Sequence, residues 1–355
     1  MENEENKKLM KKNYGRMALW IAIFGVLVTL LQLFNANVIP IISNAILGKD
    51  ITDSSTFSFL NIIIPMYLVG FPLLLLVTSR MEKTHIEKGK WNFGNYIVCL
   101  LLMFGMIGVG IAVGTIAHLL VITPLGVKME DSSALADLMT DSNPFWRILT
   151  VGILAPIVEE MIFRKLLIDR VIKYGEWTAI LTSGLMFGLF HGNFQQCFFA
   201  ALIGGLFAYV YIRTGKIWCT MLLHATLNLM TSAVTVGLLT SIDVQKMERM
   251  MQLSGADVNN PAVQQEMTKL IVEVGVPMGL FSLWILLLMG LVLAGIITWI
   301  VVLVKKKIRI QRSEDDVKGG MKYAWLNIGM AVFLVYIVCS FVMTYAALVM
   351  SVKIQ

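Results

Sequence analysis

Nine apolar runs, each near the ~20 residues that an α-helix needs to cross ~30 Å of hydrocarbon at ~1.5 Å per residue, fill most of this 355-residue chain. They cover residues 17–34, 57–78, 93–122, 145–168, 177–194, 197–212, 217–239, 279–304 and 325–350. A backbone in hydrocarbon must satisfy its own hydrogen bonds, so runs of this length fold as helices. With 57% hydrophobic residues, 15% charged residues and a mean hydropathy of +0.76, the chain is excluded from the soluble globular class. The expected fold class is all-α: a polytopic transmembrane helical bundle of about nine spans, four to five of which form the chemical core. No small-residue cleavage site follows the first run, which is therefore read as a retained span.

The formal charge of +6 is distributed by position. Lys7, Lys8, Lys11, Lys12 and Arg16 precede the first run, and Arg80, Lys83, Lys88 and Lys90 follow the second. Arg164, Lys165, Arg170 and Lys173 close the fourth, Arg213 and Lys216 the sixth, and Lys305, Lys306, Lys307, Arg309 and Arg312 the eighth. The connection between the third and fourth runs carries Glu130, Asp131, Asp137 and Asp141 instead. Basic residues in every second loop place the N-terminus in the cytoplasm and the C-terminus outside, in the cell membrane, and point away from nucleic acid as a partner. Cys99, Cys197, Cys219 and Cys339 fall one per run without a C-x-x-C pairing and read as small packing residues.

No Gly-rich phosphate loop, nucleotide fingerprint or long soluble segment is present, so any chemistry must come from the runs themselves. The chain divides into N-terminal transmembrane helices (1–143), a helical core (144–240), an external amphipathic segment (241–276) and C-terminal transmembrane helices (277–355). The amphipathic segment splits at 255–260. Its second half opens on Asn260-Pro261, a cap followed by a first-turn proline, and sets Val263, Met267, Leu270 and Val274 along one face, as for a helix on the outer leaflet or across the bundle. Small residues recur every fourth position as Gly184, Gly188 and Gly192, as Ala200, Gly204 and Ala208, and as Gly110 and Gly114. That spacing lets membrane helices approach backbone to backbone, and it puts the fifth and sixth runs at the centre.

Against this background the ionisable residues inside the runs stand out, because a charge at membrane depth is costly unless it faces the bundle interior and finds a partner. Glu159 and Glu160 lie in the fourth run, His191 in the fifth and His224 in the seventh. Glu160 and Arg164 are four apart with the acid first, the favourable order for an intrahelical ion pair. Adjacent residues point about 100° apart around a helix, so Glu159 faces a different surface from its paired neighbour. Pro156, three residues earlier, can kink this helix and make room for a water.

His224 and Asn228 share one helix face, as do Phe187 and His191. Counted from the cytoplasmic ends at ~1.5 Å per residue, Glu159 lies roughly 14 Å deep, His191 about 21 Å and Asn228 about 16 Å, with His224 shallower, so the four can share one cavity. A carboxylate, two imidazoles and an amide can activate a water and hold an oxyanion, or they can ligate zinc and use its bound water. The H-E-x-x-H helix common among zinc peptidases is absent, which favours an unusual site without deciding between the two uses. His118 and His85 are read as packing and loop residues.

The strings Glu159-Glu160-Met161-Ile162-Phe163-Arg164, Phe187-Gly188-Leu189-Phe190-His191 and His224-Ala225-Thr226-Leu227-Asn228 resemble the E-E-x-x-x-R, F-x-x-x-H and H-x-x-x-N motifs of the CPBP family. Thr214-Gly215-Lys216-Ile217-Trp218, just before the last of these, is similar to the family pattern too. The family comprises intramembrane proteases, among them the type II CAAX prenyl endopeptidases and bacteriocin-processing or bacteriocin-immunity proteins. The resemblance implies that Glu159 acts with His191 to activate the attacking water. It implies that His224 and Asn228 hold the oxyanion or, in a metalloprotease, join Glu159 and His191 around a zinc ion, with Glu160, Arg164 and Phe187 in support. The implied partner is a membrane-anchored protein or peptide bearing a prenylated CAAX-type tail, or a bacteriocin or signalling precursor. Two other uses stay open: a non-catalytic immunity or scaffold protein, and a proton-coupled transporter, against which the two halves of the chain show no inverted repeat.

Overall fold

The computed structural model describes residues 2–52, 54–126, 143–255, 259–311 and 316–354, which form helices and connections without a strand. The acidic residues Glu130, Asp131, Asp137 and Asp141, and Arg312, lie outside the described residues. In chain order the helices are α1 (Glu2–Leu47), α2 (Thr56–Thr78), α3 (Phe93–Val121), α4 (144–171), α5 (Glu176–Phe190), α6 (Phe194–Thr214), α7 (Ile217–Thr240), α8 (Val244–Leu253), α9 (Pro261–Val304), α10 (Gly320–Trp325) and α11 (Ile328–Ile354).

Seven helices among the described residues, and not nine, are long and apolar enough to cross a membrane: α1, α2, α3, α6, α7, α9 and α11. The two runs that drop out are the expected fourth and fifth spans. α4 carries Arg147, Glu159, Glu160, Arg164, Lys165, Asp169 and Arg170, too many charges for a lipid-facing surface, and Glu160, Arg164, Asp169 and Arg170 are all buried in protein. α5 has 15 residues, or about 22 Å of helix, short of the ~30 Å of hydrocarbon. It ends where His191 caps it and Gly192 adopts φ +68°, a left-handed turn that a side chain would strain, after which Asn193 caps α6 by accepting from the Gln196 N–H. Gly192 is thus a turn residue rather than the third member of a packing stripe.

The other small residues do bring backbones together. A Cβ on Gly184 would stand 2.7 Å from the Ala201 carbonyl oxygen, and one on Gly204 would stand 2.8 Å from the Phe187 ring, so α5 and α6 cross in direct backbone contact. Gly110 and Gly114 of α3 face Phe199 and Phe194 of α6, and Gly105 meets Gly295 where α3 crosses α9. α6 thereby sits at the centre, between α5 and α3, with Ile203, Phe207 and Tyr211 buried.

α1 runs far past the expected 17–34 and packs through Gly15 against Gly329 of α11. In α9 the Asn260 cap forms as the sequence implies, its side chain accepting from the Ala262 N–H, but the helix then continues without a break into the long apolar stretch. α8 lies against its first turns through Lys246–Glu273 (2.7 Å) and Arg249–Glu266 (2.8 Å). At the opposite end, extended residues 82–91 strap the bundle: Thr84 N–H donates to the Asp169 carbonyl (2.6 Å) and Gly89 N–H to the Thr214 carbonyl (3.0 Å).

Candidate active site

α4 is not a uniform helix. Its α-helical stretch Ala155–Glu160 lies between two wider π-helical turns, Ile148–Leu154 and Met161–Leu166. Such turns recur at functional sites because one extra residue per turn re-aims the side chains that follow. Here they bracket the two carboxylates. Glu160 is fully buried, with Oε2 3.1 Å from Arg164 Nε, the intrahelical pair that the spacing implies. Its other oxygen, Oε1, lies 3.0 Å from Nδ1 of His224 on α7, a contact between helices that spacing along one helix cannot reveal.

Arg164 is itself fully buried, its guanidinium 4.5 Å from the centre of the Phe187 ring and 5.4 Å from that of Phe207. Two aromatic faces and one carboxylate therefore hold the positive charge. Glu160, facing a guanidinium, is the accepting partner of His224, so Nδ1 of His224 carries the proton and Nε2 is turned outward. That nitrogen lies 3.7 Å from Oε2 of Glu159, beyond direct hydrogen-bond length. Glu159 keeps 19% of its side chain exposed.

His191 is positioned from the other side. As the C-cap of α5 it sets Nδ1 2.8 Å from the Phe187 carbonyl oxygen, which can only accept, so Nδ1–H donates and Nε2 holds the lone pair. Phe187 presents its ring edge-on to both imidazoles, at 4.9 Å from His191 and 5.7 Å from His224. The structure thus gathers Glu159, Glu160, Arg164, Phe187 and His224 in one cluster, with His191 joined through the Phe187 ring.

Asn228 reaches elsewhere: its Nδ2 donates to the Val151 carbonyl of α4 at 2.8 Å. Tyr67 of α2 donates to the neighbouring Thr150 carbonyl at 3.4 Å. Tyr67 and Phe207 are members of the site region that sequence reasoning missed, since neither carries a motif spacing. His118, fully buried beside Tyr345, and His85, in the strap, stand apart from this cluster.

The fit to zinc can be tested on the donors themselves. His224 Nε2 and Glu159 Oε2 face one another, but Glu160 is committed to Arg164 and His224, and Asn228 to Val151. Among the described residues no three His, Cys, Asp or Glu side chains gather as a metal-holding set, whereas a catalytic zinc takes three protein ligands. The geometry as it stands does not supply that set.

Fold and site together define a polytopic helical membrane protein that encloses a glutamate, histidine and arginine cluster within its bundle. Residues 141–230, the segment that carries every motif residue of the cluster, match the family model described as type II CAAX prenyl endopeptidase Rce1-like. The chain is also similar to a Bacillus subtilis protein named "Putative membrane peptidase YdiL", at 27% identity over 166 residues; the match covers 46% of this chain and 66% of that protein. No solved structure matches the chain.

Proposed function

We propose that this protein is an intramembrane endopeptidase that hydrolyses peptide bonds in membrane-associated substrates, using Glu159 as the base. The observation that carries this reading is the division of labour between adjacent carboxylates: Glu160 is buried and doubly committed, while Glu159 is partly exposed and, among the described residues, has as its ion-pair partner an imidazole at 3.7 Å. A water between Glu159 and the Nε2 of His191 gives up a proton to Glu159 as its oxygen adds to the scissile carbonyl carbon. His224, held through Nδ1 by Glu160, presents Nε2 to the resulting oxyanion, which an N–H on that nitrogen would stabilise. Asn228 has a second amide N–H for the same oxygen. The tetrahedral intermediate collapses, the C–N bond breaks, and the departing amine takes the proton from Glu159.

The family supports a prenylated CAAX-type tail as substrate, with a bacteriocin or signalling precursor as the other candidate. The core at 144–240 carries the chemistry, flanked by transmembrane helices at 1–143 and 277–355, with the segment at 241–276 external. The N-terminus lies in the cytoplasm, and losing two spans from the expected nine leaves the two ends on opposite sides of the cell membrane.

The test is to purify wild type and Glu159→Gln in detergent and incubate both with quenched membrane-anchored peptides, prenylated and unprenylated, with and without a chelator. Cleavage by wild type alone, retained under chelation, is the expected result. Cleavage lost on chelation and restored by zinc would add a metal to the site and overturn the metal-free step. No cleavage of any peptide by folded wild type that still functions in cells would overturn the enzymatic reading in favour of a scaffold or immunity role.

A further inference from the structure

In the π-helical turn Ile148–Leu154 the backbone pairs each carbonyl with the N–H five residues ahead, as the Ala155 N–H does with the Thr150 carbonyl. The next carbonyl in that register is Val151, and the residue five ahead of it is Pro156, which has no N–H to give. The residue four ahead, Ala155, has already been spent on Thr150. The Val151 carbonyl is therefore left without a backbone donor by the sequence itself. Asn228 Nδ2 stands 2.8 Å from it. The reach is possible because α7 packs tightly here: a Cβ on Gly152 would lie 2.6 Å from the side chain of Leu229.

We propose that Asn228 is a positioning residue, which supplies the hydrogen bond that Pro156 removes and so fixes the register of the helix that presents Glu159. The consequence follows from helix geometry. A π turn holds one residue more than an α turn, and reverting it to α would rotate everything downstream by about one residue, roughly 100°. Glu159 would then swing toward the direction that Glu160 now takes, exchanging the exposed carboxylate for the buried one. Three residues separate Pro156 from Glu159, less than one turn, so little chain is left to absorb the change. This role rests on the hydrolytic reading for its effect on rate. It differs from oxyanion binding, for which the helix register is irrelevant.

The experiment is a double-mutant cycle of Asn228→Ala and Pro156→Ala in the full chain. Alanine at 156 restores an N–H to the position that faces Val151, so it replaces what Asn228 provides. In the native background, Asn228→Ala is expected to lower Tm by about 5 °C, as for a buried carbonyl left unpaired, and to cut kcat at least tenfold with KM little changed. In the Pro156→Ala background the same change is expected to move Tm by less than about 2 °C and to cost at least about threefold less in kcat than in the native background, the remainder being the lost oxyanion contact. If Asn228→Ala alone fails to fold while the double variant folds, the coupling is shown outright. Equal losses of Tm in both backgrounds, or equal losses of kcat in both, overturn the proposal. The Tm arm needs no substrate, so a protein that cleaves nothing would still test the bond, and failure of the hydrolytic reading would be recognised separately.

Discussion

Replacing Glu160 and its neighbour Glu159 one at a time by glutamine makes the same chemical change at adjacent positions, and the structure assigns the two changes very different costs. At Glu160 the substitution removes the only carboxylate that the described residues bring within ion-pair distance of a fully buried guanidinium, 3.1 Å away. At an effective dielectric of about 20 the lost attraction is 332/(20 × 3.1), or about 5 kcal/mol, and breaking one side of a buried pair costs about 3–5 kcal/mol in practice. The rings of Phe187 and Phe207 face Arg164 before and after the change, so they do not alter the difference. At Glu159 the ion-pair partner among the described residues is His224 Nε2 at 3.7 Å and the side chain is 19% exposed, so the cost is within about 1 kcal/mol. The gap between the variants is then about 2–4 kcal/mol, measured by reversible unfolding in mixed detergent micelles. Glu160→Gln combined with Arg164→Met removes both charges and should recover most of the loss. Equal destabilisation by the two single variants, or no recovery in the double, would refute the view that Glu160 is the structural carboxylate and Glu159 the free one.

Glycine substitutions test the packing of the core around this site. Gly188→Ala drives a methyl into the Cys197 carbonyl and to 2.6 Å from the Ala201 side chain, and should destabilise by about 1–3 kcal/mol, whereas Gly237→Ala meets nothing within 4 Å and should stabilise its helix by up to about 1 kcal/mol; the same sign for both in unfolding would contradict the α5–α6 crossing. The strap at 82–91 carries a pH signature. Lys173, hydrogen-bonded at 2.8 Å, holds the Glu82 carboxyl below its ordinary value, so the stabilisation it gives is complete above that ordinary value and is lost as pH falls from there through the lowered folded value. Amide protection across the strap, corrected for intrinsic exchange, should fall in that acid window, and Glu82→Gln should flatten the dependence.

What the sequence makes legible here follows from which distances lie along one helix. Glu160–Arg164 is read directly from a spacing of four, and the different facing of Glu159 from the ~100° between neighbours. The contact of His224 with Glu160 and the reach of Asn228 to Val151 join different helices, and no spacing encodes them. The error in span number has a similar cause. Length and hydropathy treat 145–168 and 177–194 as spans, but the charged face of α4 is covered by protein and α5 has only 15 residues. The break after His191 did carry a signal, a glycine followed by the cap Asn193, hidden because Phe190 and Phe194 continue the apolar pattern on either side. The π turns of α4 were not legible at all, since a reading in steps of 3.6 residues assumes the register that they change. Pro156 did mark the place, but its consequence is an amide from α7, where the sequence suggested only room for a water.

The charges of α4 explain why one carboxylate on this helix, and not another, is left available. Three carboxylates lie on it among the described residues. Asp169 is taken by Lys165 at 2.7 Å and by the Tyr211 hydroxyl at 2.6 Å, and Glu160 by Arg164 and His224. Arg170, whose guanidinium could have reached for a third acid, donates instead to the carbonyls of Leu166 and Thr78, which ties α4 to the end of α2. Glu159 is the carboxylate of the three for which the described residues bring no guanidinium or ammonium within ion-pair distance. A fixed cation there would hold its negative charge and weaken it as a base; an imidazole can accept or give up a proton as the reaction needs. Introducing such a cation, for example by Tyr67→Lys on α2, at a side chain that interacts electrostatically with Glu159, would therefore be expected to suppress cleavage even in protein that folds and keeps Glu159.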